Sequence, residues 1–518
     1  MMIFKKIKKH IIWGLPLALI LVVSVSSFSA KRGGTLTVAI PNDPESLFAV
    51  NSVTAVDYSV IRHVTDHLIE FDKDFNIVPR LAEKWHWEDN KTLVMNLRQG
   101  VKFTDGAAWN AESAKINLDF FRTGRFKRTD MLKFVERVDI ADPYAIRIKL
   151  SQPYTPFLNN LAFAGMQMVS PLQIKSISPA EIGNRPIGTG PYILKEYIQG
   201  ERIVLERNKG YWEEGLPYFD KLIFRIVPDR SVRTMMLLGG EVDLVWGLSP
   251  LDVDAVKAGK GLEVISEPSV TMVYIGLNQL RPIFRNPKVG KALNHAIDRK
   301  TLVNTILKGH VTPLDSIVPP GVFGYSSVYV YPYDPEKAKK LLAEAGYPNG
   351  FDMVLAVPRG RYLMDYEIGE YLQAAWGKIG VRCKLITWEW GTYISAISRE
   401  PGKRGEDAFM ITVGARTGHA DFISSVLFHS SNWSPKGSNR FFYKDPEADK
   451  LIDEAVTVVD PNKARALYKR LQEKIVLEDC PWIFLHVENN LCGKKVGLHG
   501  MEMLRDEQYI LRKASLER

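Results

Sequence analysis

The sequence predicts an α/β protein built from more than one compact unit, and three observations carry that expectation. The chain has 518 residues, and at roughly 100–200 residues per domain that length calls for two to four units. Up to about Asn278 it is rich in strand-like runs, and beyond that point capped helices alternate with short apolar strands. With 46% hydrophobic and 25% charged residues, the balance is that of a globular protein with a large core, not a disordered or fibrous one.

The elements follow in chain order. MMIFKKIKKH carries Lys5, Lys6, Lys8 and Lys9 without an acid, Ile11 to Val25 is apolar, and SSFSA supplies small residues. These are the three regions of a secretory signal peptide, with cleavage expected near Ser29 or Ala30. The apolar run is shorter than the roughly 20 residues that span a bilayer, an uncleaved anchor being the lesser alternative. No cysteine ends that run, so no lipid-attachment site is expected and a free protein outside the cytoplasm is the reading.

GGTLTVAIP at 33–41 opens the following region as a strand. Trp85 and Trp87 alternate with His86, which suggests a strand presenting aromatics to a core. In KTLVMNLRQGVKF, Leu93, Met95 and Leu97 alternate with polar residues, and a turn at Gly100 into Val101 and Phe103 suggests a hairpin. YAIRIKL, IVLERN, KLIFRIVPD and VTMVYIGLN continue the β-rich half.

Past Asn278, Asn286 and Pro287 form an N-cap and first-turn pair, Asp298 can cap a second helix, and Gly309 can end it. Asp-Pro pairs starting at Asp334, Asp445 and Asp460 repeat the device. FDMVLAVP, VRCKLITW and DAFMITVG are strand-like runs between these helices, and WIFLHVENNL at 482–491 is the last. The stretch from Val318 to Tyr333 is proline-rich, but Phe323, Tyr325, Tyr329, Tyr331 and Tyr333 suggest an ordered, packed loop.

Several function classes lack their residues. The net charge is +9, and subtracting the four signal lysines leaves about +5, spread along the chain; this is no nucleic-acid footprint. Nucleophile-elbow, H-E-x-x-H, Walker and Rossmann motifs are absent, so no cofactor is expected. His63 and His67 have helical metal-pair spacing but no third ligand, which favours two histidines on a partly exposed helix face. Cys480 and Cys492 are close enough in sequence to bridge in an oxidising compartment, with three buried thiols as the equal alternative. VGARTGHADF at 413–422 places Arg416, His419 and Asp421 within six positions, and by itself leaves active site, metal site and ligand grip all open.

LAEKWHWEDNKTLVMNLRQGVKFTDG at 81–106 closely resembles the signature of the family 5 extracellular solute-binding proteins, the peptide- and nickel-type receptors of ABC importers. Further matches follow in order: PIGTGPYIL at 186–194, GYW at 210–212, GEVDL at 240–244, YIGLN at 274–278, KVGKALNHAIDRKTLV at 288–303, YDPEKAKKLLAEAGY at 333–347, EWGTY at 389–393 and CPWIFLHVEN at 480–489.

The resemblance implies a two-lobed periplasmic-binding-protein type 2 fold with an extra subdomain in the first lobe. After the signal at 1–30, lobe I would span 31–277 with the subdomain at about 76–185, lobe II 278–481, and 482–518 would return to lobe I. It also implies a periplasmic monomer that closes on a small peptide or peptide-like ligand and serves an ABC permease with its ATPase subunits. No metal, nucleic acid or catalysis is implied.

In that frame the loop with Arg416, His419 and Asp421 faces the cleft. Asp421 keeps an acid common in peptide-binding relatives, His419 stands where they often have aspartate, and Arg416 adds a cation suited to a carboxylate. Arg361 and Tyr362 resemble a second cleft loop, with Arg359 an alternative anion contact. Trp388 and Trp390 can wall the pocket or belong to the core, and Asn278 belongs to the hinge strand. A nickel chelate held by arginine and histidine is the alternative cargo, and a secreted peptidase the distant one.

Overall fold

Two long antiparallel strands join the halves of the molecule. In the computed structural model, which describes residues 32–329 and 331–517, one sheet of eleven strands passes through both halves. The expected signal peptide lies outside the described residues. The strands are β1 (Thr35–Ile40), β2 (Tyr192–Ile198), β3 (Arg202–Arg207), β4 (Lys221–Ile226), β5 (Leu244–Trp246), β6 (Leu262–Leu277), β7 (Val311–Pro313), β8 (Asp352–Ala356), β9 (Arg382–Ile386), β10 (Ala408–Gly414) and β11 (Trp482–Lys495). Their order is β2–β3–β4–β1–β5–β11–β6–β10–β8–β9, with β7 also on β11.

The unbroken apolar runs in β6 and β11 arise because both faces of these strands are covered. Val270, Met272 and Tyr274 enter one core of the second lobe while Val273, Ile275 and Leu277 enter another. Trp482 and Phe484 alternate with Ile483 and Leu485 in the same way. Nearer the other end, Ile265 packs on the first-lobe core that holds Cys492, and Val264 on the one that holds Leu491. The cores therefore change over at about 268–271 on β6 and 488–490 on β11.

That changeover is also where the ladder breaks. Pro268 pairs with Asn489, and the next pair is Met272 with Val487, so Ser269, Val270 and Thr271 stand opposite Glu488 alone. Pro268 has no N–H to continue the ladder, and the bulge leaves backbone groups for other partners. Ser269 Oγ donates to the Glu488 carbonyl at 2.7 Å.

A third body of core, from Phe48 to Ile182, is built on a separate four-stranded sheet of Ala82–Asp89, Thr92–Leu97, Ala145–Leu150 and Val135–Asp142. Thr92–Leu97 forms its hairpin with Ala82–Asp89, not across Gly100. Trp87 is exposed and Trp85 half-buried, so this strand does not bury its tryptophans as expected.

Local capping chemistry sets the helices of the second lobe. Asn286, Asp334, Asp445 and Asp460 each accept a backbone N–H of the first turn, with proline at the first helical position. The loop 318–329 is ordered against one second-lobe core through Val318, Val322, Phe323 and Tyr325.

Cys480 and Cys492 are free and buried, which is the thiol alternative; Cys480 precedes β11 and Cys492 lies within it, roughly 40 Å further along an extended chain, which no bridge can span. One expectation is overturned here. His63 and His67 lie beyond the helix Ala55–Ile61 and are both buried. Burial and Arg62 lower each imidazole to about 3, and His63 Nε2 accepts from Leu511 N at 3.1 Å.

Candidate functional site between the lobes

The bulge in β6 gathers the site. Val270 N donates to the Arg505 carbonyl at 3.0 Å, and the Val270 carbonyl accepts from Ala415 N at 3.1 Å. One residue on the crossing strand thus holds both the second-lobe loop that carries Arg416 and the C-terminal turn that carries Asp506 and Glu507. Asn490 fastens the same turn, donating to the Leu504 carbonyl at 2.8 Å.

Arg416 bridges the lobes. Its guanidinium donates to the Val53 carbonyl at 3.3 Å and to Glu507 Oε2 at 3.2 Å, while Nε has no partner. Thr271 Oγ1 donates to the other Glu507 oxygen at 2.6 Å. Glu488, half-buried on β11 beside the bulge, feels Glu507, Arg230 and Arg361. Burial and the Glu507 charge raise its carboxyl to about 7, against the opposing pull of Arg230 and Arg361.

His419, expected to face the cleft, is buried. It caps the short helix Ala420–Ile423, its Nδ1 accepting from Asp421 N at 3.1 Å. Its ring stacks on Phe323 at 4.7 Å and meets the edge of Tyr468 at 5.6 Å. Burial lowers the imidazole to about 4, so it is neutral at pH 7. Next to it, Gly418 has φ +63°, and a Cβ there would come within 2.9 Å of the Phe75 ring.

Asp421 is likewise occupied. Oδ2 accepts from Tyr154 of the inserted subdomain at 2.7 Å, and Oδ1 from Ser425 Oγ. Asn159 Nδ2 to the Thr417 carbonyl, 2.9 Å, and Thr155 N to the Val456 carbonyl, 2.9 Å, are further contacts from that subdomain to the second lobe. The carboxylate expected to meet ligand therefore has one oxygen on the subdomain and the other on its own lobe.

Arg361 and Tyr362 lie on a loop pinned by Asp365, whose carboxylate accepts from the backbone N–H of Gly360, Arg361 and Tyr362. The exposed Arg361 guanidinium sits 4.8 Å from the Trp390 ring centre. Trp390 stacks on the buried Tyr393 at 5.8 Å, and Trp388 approaches the same ring at 6.3 Å. Both tryptophans are thus the half-buried lid of a core, with Arg361 exposed over Trp390 and Tyr362 packed edge-on to that ring. Arg359 lies over Tyr366. Asn278 is separate: its Oδ1 accepts from Leu280 N at 3.1 Å, and it lies eight residues, roughly 26 Å of extended strand, from Val270.

The sequence reading missed Glu488, Asp506, Glu507, Val53 and Tyr154. Glu488 alone left a mark, as the first acid after the apolar run of β11. Two surface pockets, of about 620 Å³ beside Leu238 and Lys495 and about 380 Å³ beside Trp433 and Asp479, are bordered by none of these residues.

Residues 76–435 match the family described as bacterial extracellular solute-binding proteins, family 5. The chain belongs to that family. Similar to this family 5 protein is the glutathione-binding protein GsiB of Salmonella typhimurium, 32% identical over 504 residues, 96% of this chain and 98% of the relative. Among solved structures, the periplasmic binding protein DppA from Helicobacter pylori in complex with the peptide STSA has a TM-score of 0.81 at 25% identity, covering 94% of this chain and 99% of that one. NikZ from Campylobacter jejuni in complex with Ni(L-His) shares the fold, with a TM-score of 0.79 at 22% identity over 92% and 96%. The architecture is the two-lobed α/β arrangement of type 2 periplasmic binding proteins. Among the described residues, no helix is long and apolar enough to cross a membrane.

Proposed function

We propose that this protein captures a small peptide or peptide-like zwitterion, with glutathione the first candidate, between its lobes and releases it unchanged to an ABC permease. The observation that carries the reading is the meeting of Arg416 of the second-lobe loop with Glu507 of the C-terminal turn and with the Val53 carbonyl, beside the bulge of the crossing strand. Charges of both signs from both lobes suit a ligand bearing ammonium and carboxylate groups. Such a ligand favours closure only by the amount it prefers the closed state. The similarity to a glutathione-binding protein over almost the whole chain supports the choice of tripeptide. The protein would act outside the cytoplasm as a monomer, with the permease and its ATPase subunits as partners and without catalysing a reaction.

The nickel-chelate alternative asks for a histidine beside Arg416 in the cleft, and His419 is instead buried as a helix cap. Isothermal titration of the mature protein with glutathione, dialanine, trialanine and nickel–histidine separates the readings. Glutathione or one of the peptides should bind, raise the melting midpoint by mass action, and lose roughly ten- to a hundredfold in affinity in Arg416→Ala. Silence toward every peptide at millimolar concentration would remove this reading. Binding of nickel–histidine alone would transfer the assignment to the chelate.

A further inference from the structure

The cavity of about 380 Å³ in the second lobe lies where both crossing strands end. Gln279 and Leu280, just past β6, border it together with Asp479, just before β11. Leu277 N donates to the Pro481 carbonyl at 3.0 Å, and Gln279 N to the Phe441 carbonyl at 2.8 Å, which ties these ends to the segment that carries Phe442. A volume of this size is in the range of small-molecule pockets.

The acids on its border are already engaged. Asp445 accepts from Ala448 N at 2.9 Å and pairs with Lys474 at 3.2 Å, and Asp479 accepts from the Tyr443 hydroxyl at 2.6 Å and pairs with the same lysine at 3.4 Å. The cations on the border, Arg285 and Lys444, are exposed, and neither makes an ion pair among the described residues. Arg285 commits only its Nε, which donates to the Gln279 carbonyl at 2.9 Å.

An aromatic wall adjoins them. Trp433 is half-buried, its Nε1 donating to the Tyr443 carbonyl at 2.8 Å and its ring meeting that of the buried Phe442 edge-on at 5.5 Å. Phe442 holds left-handed backbone, φ +59°, which is costly for a residue with a Cβ, and Cys480, next to Asp479, does the same at φ +48°. Strained backbone thus stands on two sides of one cavity, as at built sites.

We propose that this cavity is a second ligand site, separate from the cleft, and that it takes a small aromatic carboxylate, with the carboxylate on Arg285 and Lys444 and the ring against Trp433. The guanidinium keeps two terminal nitrogens for the two carboxylate oxygens, and Lys444 adds a point charge. The indole gives an aromatic ring an offset or edge-on partner. Asn278, beside this cavity, is roughly 26 Å of extended strand from Val270, so the two sites can fill independently.

Calorimetric titration of the mature protein with phenylacetate, acetate and benzylamine tests the assignment. Phenylacetate should bind at millimolar concentration, and the other two about tenfold more weakly or less. Arg285→Ala and Lys444→Ala should each weaken phenylacetate by roughly three- to tenfold, and Trp433→Leu should bring it down to the level of acetate. Circular dichroism checks each variant's fold, and if Trp433→Leu fails to fold, the two cation variants decide. Silence toward phenylacetate overturns the proposal, as does equal binding of acetate, which would leave an anion contact only, or tighter binding of benzylamine. Displacement of phenylacetate by glutathione, or its loss in Arg416→Ala, would put the probe in the cleft and overturn it as well. Failure of the peptide reading leaves this test unchanged, because it uses no peptide as its ligand.

Discussion

Two buried groups of charges lie in this protein, and they are built in opposite ways. Around Glu70 the carboxylate is surrounded by guanidiniums: Arg512 at 2.7 Å, Arg62 at 3.2 Å and Arg80 at 3.4 Å. Burial alone would raise the Glu70 carboxyl, but Arg512, Arg80 and Arg62 hold it well below the usual range. Asp66 beside it is also saturated, accepting from Arg80 at one oxygen and from Thr189 and Trp212 at the other. At the lobe crossing, Glu488 is raised and Asp506 keeps an oxygen without a donor.

The difference separates a carboxylate ringed by cations from one that burial dominates. The first ties Glu70 to the returning C-terminal segment through Arg512, with Arg62 and Arg80 also against it. The second has a like charge, Glu507, among its neighbours.

The largest expected effect comes from removing the ringed carboxylate. Glu70→Ala leaves three buried guanidiniums around a missing partner and should cost about 3–5 kcal/mol of unfolding free energy, measured by urea denaturation. A loss below about 1 kcal/mol would mean that solvent screens the cluster, and the contrast would collapse.

Next comes the pH response of the carboxyl that burial dominates. A folded carboxyl raised from the ordinary 4.5 to about 7 binds more protons than the unfolded chain between those values. Its contribution to stability is therefore present below pH 4.5 and is lost as pH rises toward 7, at no more than about 1.4 kcal/mol per pH unit. Melting curves of ligand-free protein and of Glu488→Gln across this window should diverge, the variant showing the shallower decline. Parallel curves would show that Glu488 does not titrate there.

The smallest effect concerns a tyrosine–carboxylate contact from the inserted subdomain to the second lobe. Tyr154→Phe removes the hydroxyl from Asp421 Oδ2 and should cost the closed form about 1.5–3 kcal/mol. Solution scattering should then show a larger mean radius for the ligand-free variant than for the wild type. An unchanged radius would mean that this hydrogen bond has no part in closure.

Much of the fold is legible in local sequence because its causes are local. Asn286, Asp334, Asp445 and Asp460 sit within three residues of the N–H groups they cap. The two apolar runs that became β6 and β11 stand out because each must bury both faces. The site is less legible because its partners are remote in the chain: Arg416 meets Glu507 across 91 positions and Val53 across 363. In the same way, the partners of His419 and Asp421, which their own stretch left open, are remote in the chain: Phe323 and Tyr468 for the one and Tyr154 for the other.

By itself, then, the sequence determined the α/β class, the capped helices, the long crossing strands and the family, since periodicity, capping residues and ordered motifs are properties of neighbouring residues. Tertiary structure alone decided where the strands change cores, why Cys480 and Cys492 stay apart, and which charges meet. A β-bulge at residues 269–271 brings a second-lobe loop and a C-terminal turn to one backbone unit, and the pairing of charges follows from that meeting.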